Sequence, residues 1–164
     1  MFSFKLYWIA NYPLAIGPCP TPYAWDEVLQ ALQAEQVNLV VSFQDELEAK
    51  QIGIADEAQR LASVGIEFWR YPIADHRTPP FTSDTFNFID AIAQKLDEGQ
   101  RAYLHCFAGI GRSATIAAAV LIRRGASAKQ ALRALAQARG FPVPETSAQY
   151  EWVYDYETYR QNKS

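Results

Sequence analysis

Residues 105–115 read HCFAGIGRSAT, directly after the apolar run RAYL at 101–104. Two phosphate-binding devices share these letters. GIGRSA at 109–114 satisfies the dinucleotide fingerprint G-x-G-x-x-G/A, whose glycines let a helix N-terminus approach a pyrophosphate. HCFAGIGRS at 105–113 instead offers a Cys followed, after five residues, by an Arg. One device binds a cofactor; the other attacks phosphorus with a thiol. Both need a strand-to-helix turn, so the surroundings must choose between them.

Outside this stretch, strand-like and helix-like runs alternate, which predicts an α/β fold. FKLYWI (4–9) and LAIG (14–17) read as an N-terminal pair of strands. TPYAWDEVLQALQAEQ (21–36) reads as a helix with Thr21 as N-cap, Pro22 at its first position, and Trp25, Val28, Leu29 and Leu32 on one face. VNLVVSF (37–43) is nearly continuous apolar sequence, the mark of a strand buried on both faces. A helix at about 55–63 and a strand IEFWRY (66–71) follow.

SDTFNFIDAIAQKLDEG (83–99) reads as a helix turning Phe88, Ile89, Ile92, Ala93 and Leu96 inward and stopping at Gly99. RAYLH is then a strand, and RSATIAAAVLIRR (112–124) an apolar, central helix. SAKQ (127–130) and TSAQ (146–149) are capping boxes for two more helices, the first stopping at Gly140 and the second burying Trp152, Val153 and Tyr156. The expected architecture is a central, mostly parallel (mixed) sheet of four to five strands flanked by helices, in one domain over residues 1–164.

Bulk composition fits that picture. The 164 residues are 49% hydrophobic and 20% charged, ordinary for a globular chain large enough to bury a core. Cys19 and Cys106 are too few for a disulfide framework. No signal peptide or apolar span is legible, so a cytoplasmic, unanchored monomer is expected. The net charge of −3 hides a segregation: residues 107–144 hold Arg112, Arg123, Arg124, Lys129, Arg133 and Arg139 and no carboxylate, leaving −9 on the remainder. A local positive field beside the motif suits an anionic ligand, while the acidic remainder argues against nucleic acid. The five cations other than Arg112 are expected to be solvated faces of two helices.

The dinucleotide device fails on context. Only helices are expected after residue 111, whereas a nucleotide domain needs further strand–helix units. The acidic residue wanted about 20 positions on for the ribose is missing, since none occurs before Glu145. No Lys-Ser/Thr follows the glycines either, which excludes a Walker A loop.

The thiol device has its parts in place. A free Cys is mostly protonated at neutral pH, and a helix N-terminus is a setting that favours the thiolate. Cys106 would lie beneath such an N-terminus, with the loop residues Phe107, Ala108, Gly109, Ile110 and Gly111 cradling phosphoryl oxygens. Arg112 would clamp two oxygens with a planar fork that Lys lacks. Ser113 can donate to the sulfur and help it leave. Upstream, YPIADHRTPP (71–80) supplies Asp75 in a Pro-bracketed loop, 31 positions before Cys106.

H-C-x-x-G-x-x-R-S, written here as HCFAGIGRS, resembles the signature of the cysteine-dependent protein tyrosine phosphatases. The compact length resembles the dual-specificity branch, and the AGIGRS filling its kinase-associated members. The resemblance implies a two-step, metal-free and cofactor-free mechanism on a phosphorylated protein or peptide. Cys106 would attack phosphorus, and Asp75, in a loop resembling the family's P-x-x-D-H acid loop, would protonate the leaving oxygen. Asp84 is the spare candidate, though a carboxylate in a first helical turn needs no catalytic reason. The resemblance gives His105 a role in ordering the loop, and Gln149 a role in orienting water. A Gln at the third position of a capping box is equally well a cap.

His76 reads as a partly exposed loop residue and Cys19, in GPCPTP (17–22), as a packing residue. Phe107 and Ile110 stand where inositide-directed relatives tend to carry Lys, which disfavours inositide lipids. Two further readings remain open: a phosphatase of RNA 5′ ends or small metabolites, and a non-catalytic phosphopeptide-binding module.

Overall fold

The computed structural model describes residues 4–163; the expected domain limits at 1 and 164 lie outside them. Among the described residues five strands form one sheet in the order β1-β2-β5-β3-β4. They are β1 (Tyr7–Trp8), β2 (Leu14–Gly17), β3 (Leu39–Ser42), β4 (Glu67–Arg70) and β5 (Ala102–His105). All neighbours pair in parallel except the β1–β2 edge, which is antiparallel. The mixed, mostly parallel sheet expected from the sequence is the one found.

Alternation explains why the strand sequences look continuously apolar. Leu14, Ile16, Leu39, Val41, Ala102 and Leu104 face one layer of helices, and Ala15, Val40 and Tyr103 face the other. The first layer comprises α4 (Ser83–Asp97), α5 (Arg112–Arg123), α6 (Ala128–Arg139) and α7 (Ser147–Lys163). α5 packs against the other three and against β2 and β5, and is buried from Arg112 to Ile122. The second layer holds α1 (Trp25–Ala34), α2 (Glu46–Ile52) and α3 (Glu57–Ala62). Among the described residues no helix is long and apolar enough to cross a membrane.

Four expectations need correction. Only Tyr7 and Trp8 of the 4–9 run pair with β2, because the chain reverses at once through Ile9 N–H to Leu14 O and Tyr12 N–H to Ile9 O. Thr21 and Pro22 do not open α1. Thr21 O accepts from Ala24 N–H, so Pro22 occupies the second position of a β-turn and the helix starts at Trp25. α2 was not expected at all, although Asp45 caps it through Glu48 N–H and the left-handed Gly53 ends it. Phe88 is only partly buried, stacked on Tyr71 at the flank of the core. By contrast both capping boxes form: Ser127 with Gln130, and Thr146 with Gln149.

Candidate active site

β5 delivers His105 and Cys106 to the end of the sheet, and the chain turns through 106–111 into α5. Gly109 adopts φ +75°, and a Cβ there would run into the backbone of Gly17, so the loop lies flush against the end of β2. Cys19 N–H bonds to Phe107 O at 3.0 Å and fixes the loop from the same side. The first N–H groups of α5 have no partners within the helix, and they sit where Cys106 is held. Cys106 is nearly buried, with Sγ 3.3 Å from Ser113 Oγ.

Arg112 is 1% exposed although it carries a charge. Its Nη1 and Nη2 donate to Glu48 Oε1 and Oε2 at 2.9 and 3.0 Å, a two-pronged grip from α2. Nη1 also donates to Ile73 O at 3.0 Å, and Asp75 Oδ1 lies 3.3 Å from Nη2. Burial alone would lower the Arg112 pKa, but the Glu48 hydrogen bonds and the fields of Cys106, Glu48 and Asp75 raise it above its ordinary value. The guanidinium therefore stays charged.

Asp75 and His76 come from the loop after β4. His76, in a left-handed conformation, places Nδ1 2.9 Å from Glu145 Oε1 and Nε2 3.4 Å from Asp75 Oδ2. The hydrogen bond to Glu145, then the field of Asp75, raise its pKa above 6.5. Asp75, His76, Cys106, Phe107, Ala108, Ile110, Gly111, Arg112 and Glu145 line one cavity of about 290 Å³. Asp84 lies in the first turn of α4 and does not line it.

Gln149 is fully buried beside Gly111, but its amide is committed. Oε1 accepts from Glu145 and Thr146 N–H, and Nε2 donates to Arg77 O at 3.1 Å. It ties α7 to the loop after β4 that carries Asp75. His105 is buried, with Nδ1 3.1 Å from Cys106 O and Nε2 2.7 Å from Glu57 Oε2. Of the other cations near the motif in sequence, Arg123 and Arg124 pair with Asp90 and Asp97, and Arg139 reaches Ala108 O while stacking on Tyr7. Glu48, Glu57 and Glu145 were not singled out from the sequence. They come from three segments that only the topology brings under one loop.

With this geometry established, comparison with known proteins is direct. The family model described as polymorphic toxin system, DSP-PTPase phosphatase, matches residues 20–126. The chain belongs to this family. It is a compact dual-specificity member of the cysteine-dependent tyrosine phosphatases, as its motif implied. Cyclin-dependent kinase inhibitor 3 of Rattus norvegicus is 30% identical over 94 residues, 56% of this chain and 44% of that protein. Phosphatidylglycerophosphatase and protein-tyrosine phosphatase 1 of Homo sapiens is 30% identical over 113 residues, 68% of this chain and 55% of that protein. The matches thus span about half the length of these relatives. Among solved structures, kinase associated phosphatase with its catalytic cysteine changed to serine superposes with TM-score 0.84 at 20% identity, covering 96% of both chains. Tk-PTP in its active form gives 0.75 at 25% identity, over 93% of this chain and 96% of that one.

Proposed function

We propose that the chain is a protein phosphatase that hydrolyses phosphotyrosine, and phosphoserine or phosphothreonine where these reach the nucleophile. The observation that carries this reading is that Cys106, Arg112 and Asp75 line one cavity at the N-terminus of α5. The Cys106 thiolate attacks phosphorus, the P–O ester bond breaks, and the Asp75 carboxyl gives its proton to the leaving oxygen. Arg112 presents its unpartnered Nε–H and the Nη2 hydrogen that faces Asp75 to two equatorial phosphoryl oxygens, while Glu48 and Ile73 keep its other Nη hydrogens. The loop amides hold the third oxygen, stabilising charge as it spreads in the transition state.

In the second step water attacks the phosphocysteine and the P–S bond breaks. Asp75 accepts the water proton, and Ser113 donates to the departing sulfur across the 3.3 Å contact. The contact between Asp75 and Arg112 stores the acid loop next to the phosphate site until a dianionic substrate claims the guanidinium. The exposed Phe107 on the cavity wall supplies an apolar surface for an aryl leaving group.

A panel of phosphotyrosyl, phosphoseryl and phosphothreonyl peptides, an inositide, phosphatidylglycerophosphate and 5′-triphosphorylated RNA tests the substrate class. Highest kcat/KM on phosphotyrosyl peptide is expected. A higher value on the RNA or on either lipid overturns the protein-phosphatase assignment.

A further inference from the structure

Behind the nucleophile lies a buried pair that the mechanism above does not use. We propose that Glu57 is a positioning residue for Cys106: its carboxylate holds the His105 ring doubly protonated, and that ring fixes the Cys106 carbonyl and sets the field at its sulfur. This rests on the reading of Cys106 as nucleophile.

Proton counting carries the argument. Cys106 O only accepts, so His105 Nδ1, 3.1 Å away, must carry a hydrogen. In a neutral imidazole that tautomer leaves a lone pair on Nε2. Nε2 faces Glu57 Oε2 at 2.7 Å, and two lone pairs do not meet at that distance, so a proton lies between them. Both side chains are fully enclosed, and Glu57 Oε1 has no hydrogen-bond partner among the described residues. A buried carboxylate with neither a cation nor a proton is the costly state.

The surroundings leave His105 as the partner. The field of Glu57 also reaches the Cys19 thiol and the Tyr103 hydroxyl. Burial pushes Cys19 to about 11 and Tyr103 well above 10, so neither adds charge near neutral pH. Across Cys106, Arg112 is committed to Glu48 and Asp75. The ring's Nδ1 edge faces the Cys106 backbone and its Nε2 edge faces Glu57, so the positive end of the pair is turned toward the nucleophile. The pair is neutral in sum and still favours a thiolate. An acid in a first helical turn is ordinarily solvated, as the adjacent Asp56 is where it pairs with Arg60. Glu57, one position on, is wholly buried.

Glu57→Gln tests this in the full chain carrying Cys19→Ala. The amide can donate to Nε2 and keep the ring seated in its neutral form. The pH midpoint of Cys106 alkylation by iodoacetamide should move upward, making alkylation about tenfold slower on the acidic limb, in the range of a nearby-charge effect. ¹⁵N NMR of the unsubstituted chain should show hydrogens on both His105 ring nitrogens throughout the active pH range. An unchanged alkylation profile in a folded variant, or a single ring hydrogen on His105, overturns the proposal. The NMR measurement decides the matter even if the variant does not fold. Turnover retained by Cys106→Ser would sink the nucleophile reading separately, since neither test here depends on turnover.

Discussion

Glu48→Ala removes the grip on Arg112 without touching the lining of the cavity that Cys106, Asp75 and Arg112 share. The guanidinium is 1% exposed and donates to both Glu48 oxygens at 2.9 and 3.0 Å. After the substitution it keeps Ile73 O and the weaker Asp75 contact at 3.3 Å. Removing one partner of a fully buried pair costs about 3–5 kcal/mol, and an exposed pair about 0–1. Glu48 is 24% exposed, between these limits, so about 2 kcal/mol of stability should be lost by urea unfolding.

The same loss frees the fork to swing toward Asp75, drawing together the two groups that the reaction needs apart. A misplacement of this size lowers kcat/KM by about 10²-fold, measured with p-nitrophenyl phosphate. Glu48→Gln keeps one acceptor and should fall between the two. The reasoning fails if Glu48→Ala changes neither stability nor kcat/KM.

Asp75→Asn should lower turnover of an alkyl phosphate by about 10²–10⁴-fold, and of p-nitrophenyl phosphate far less, because nitrophenolate leaves without a proton. Equal losses on both substrates would count against the general-acid role. Ser113→Ala should slow phosphocysteine breakdown by roughly 10- to 100-fold, the worth of a hydrogen bond to a charged group, and a pre-steady-state burst should appear. For His76, the folded pKa is raised above 6.5, so its tie to Glu145 and Asp75 is fully present below that value and is lost as pH rises through the folded pKa. The stability difference between the unsubstituted chain and His76→Ala should therefore shrink as pH rises above 6.5, which thermal unfolding on both sides of that value will check.

The turn from β5 into α5 was legible because its chemistry is local. A thiol, two glycines, an Arg and a Ser within nine residues set the backbone path and carry the family's signature. The capping boxes at Ser127 and Thr146 were legible for the same reason, since each closes within four residues. α2 escaped notice because its cap and stop residues flank a segment with no apolar stripe: Leu47 is exposed and Ala49 alone is buried.

The same gap hid Glu48, whose role depends on β3 and β5 lying side by side. Glu57 resembled an ordinary helix-opening acid, and only burial against His105 distinguishes it. His76 was rightly read as exposed, yet its contact with Glu145 joins residues 69 positions apart, a distance that no sequence periodicity spans. Gln149 was left open between cap and water-orienting group. Its oxygen caps α7 and its nitrogen holds Arg77 O, so the described geometry accounts for both ends of the amide.

The central claim is that Cys106 is the nucleophile of a metal-free phosphoryl transfer. Hydrolysis of p-nitrophenyl phosphate in excess EDTA, by the unsubstituted chain and by Cys106→Ser, addresses it in one measurement. Undiminished turnover by the first and none by the second is the predicted result. Turnover retained by Cys106→Ser, or abolished by EDTA in the unsubstituted chain, would contradict the account.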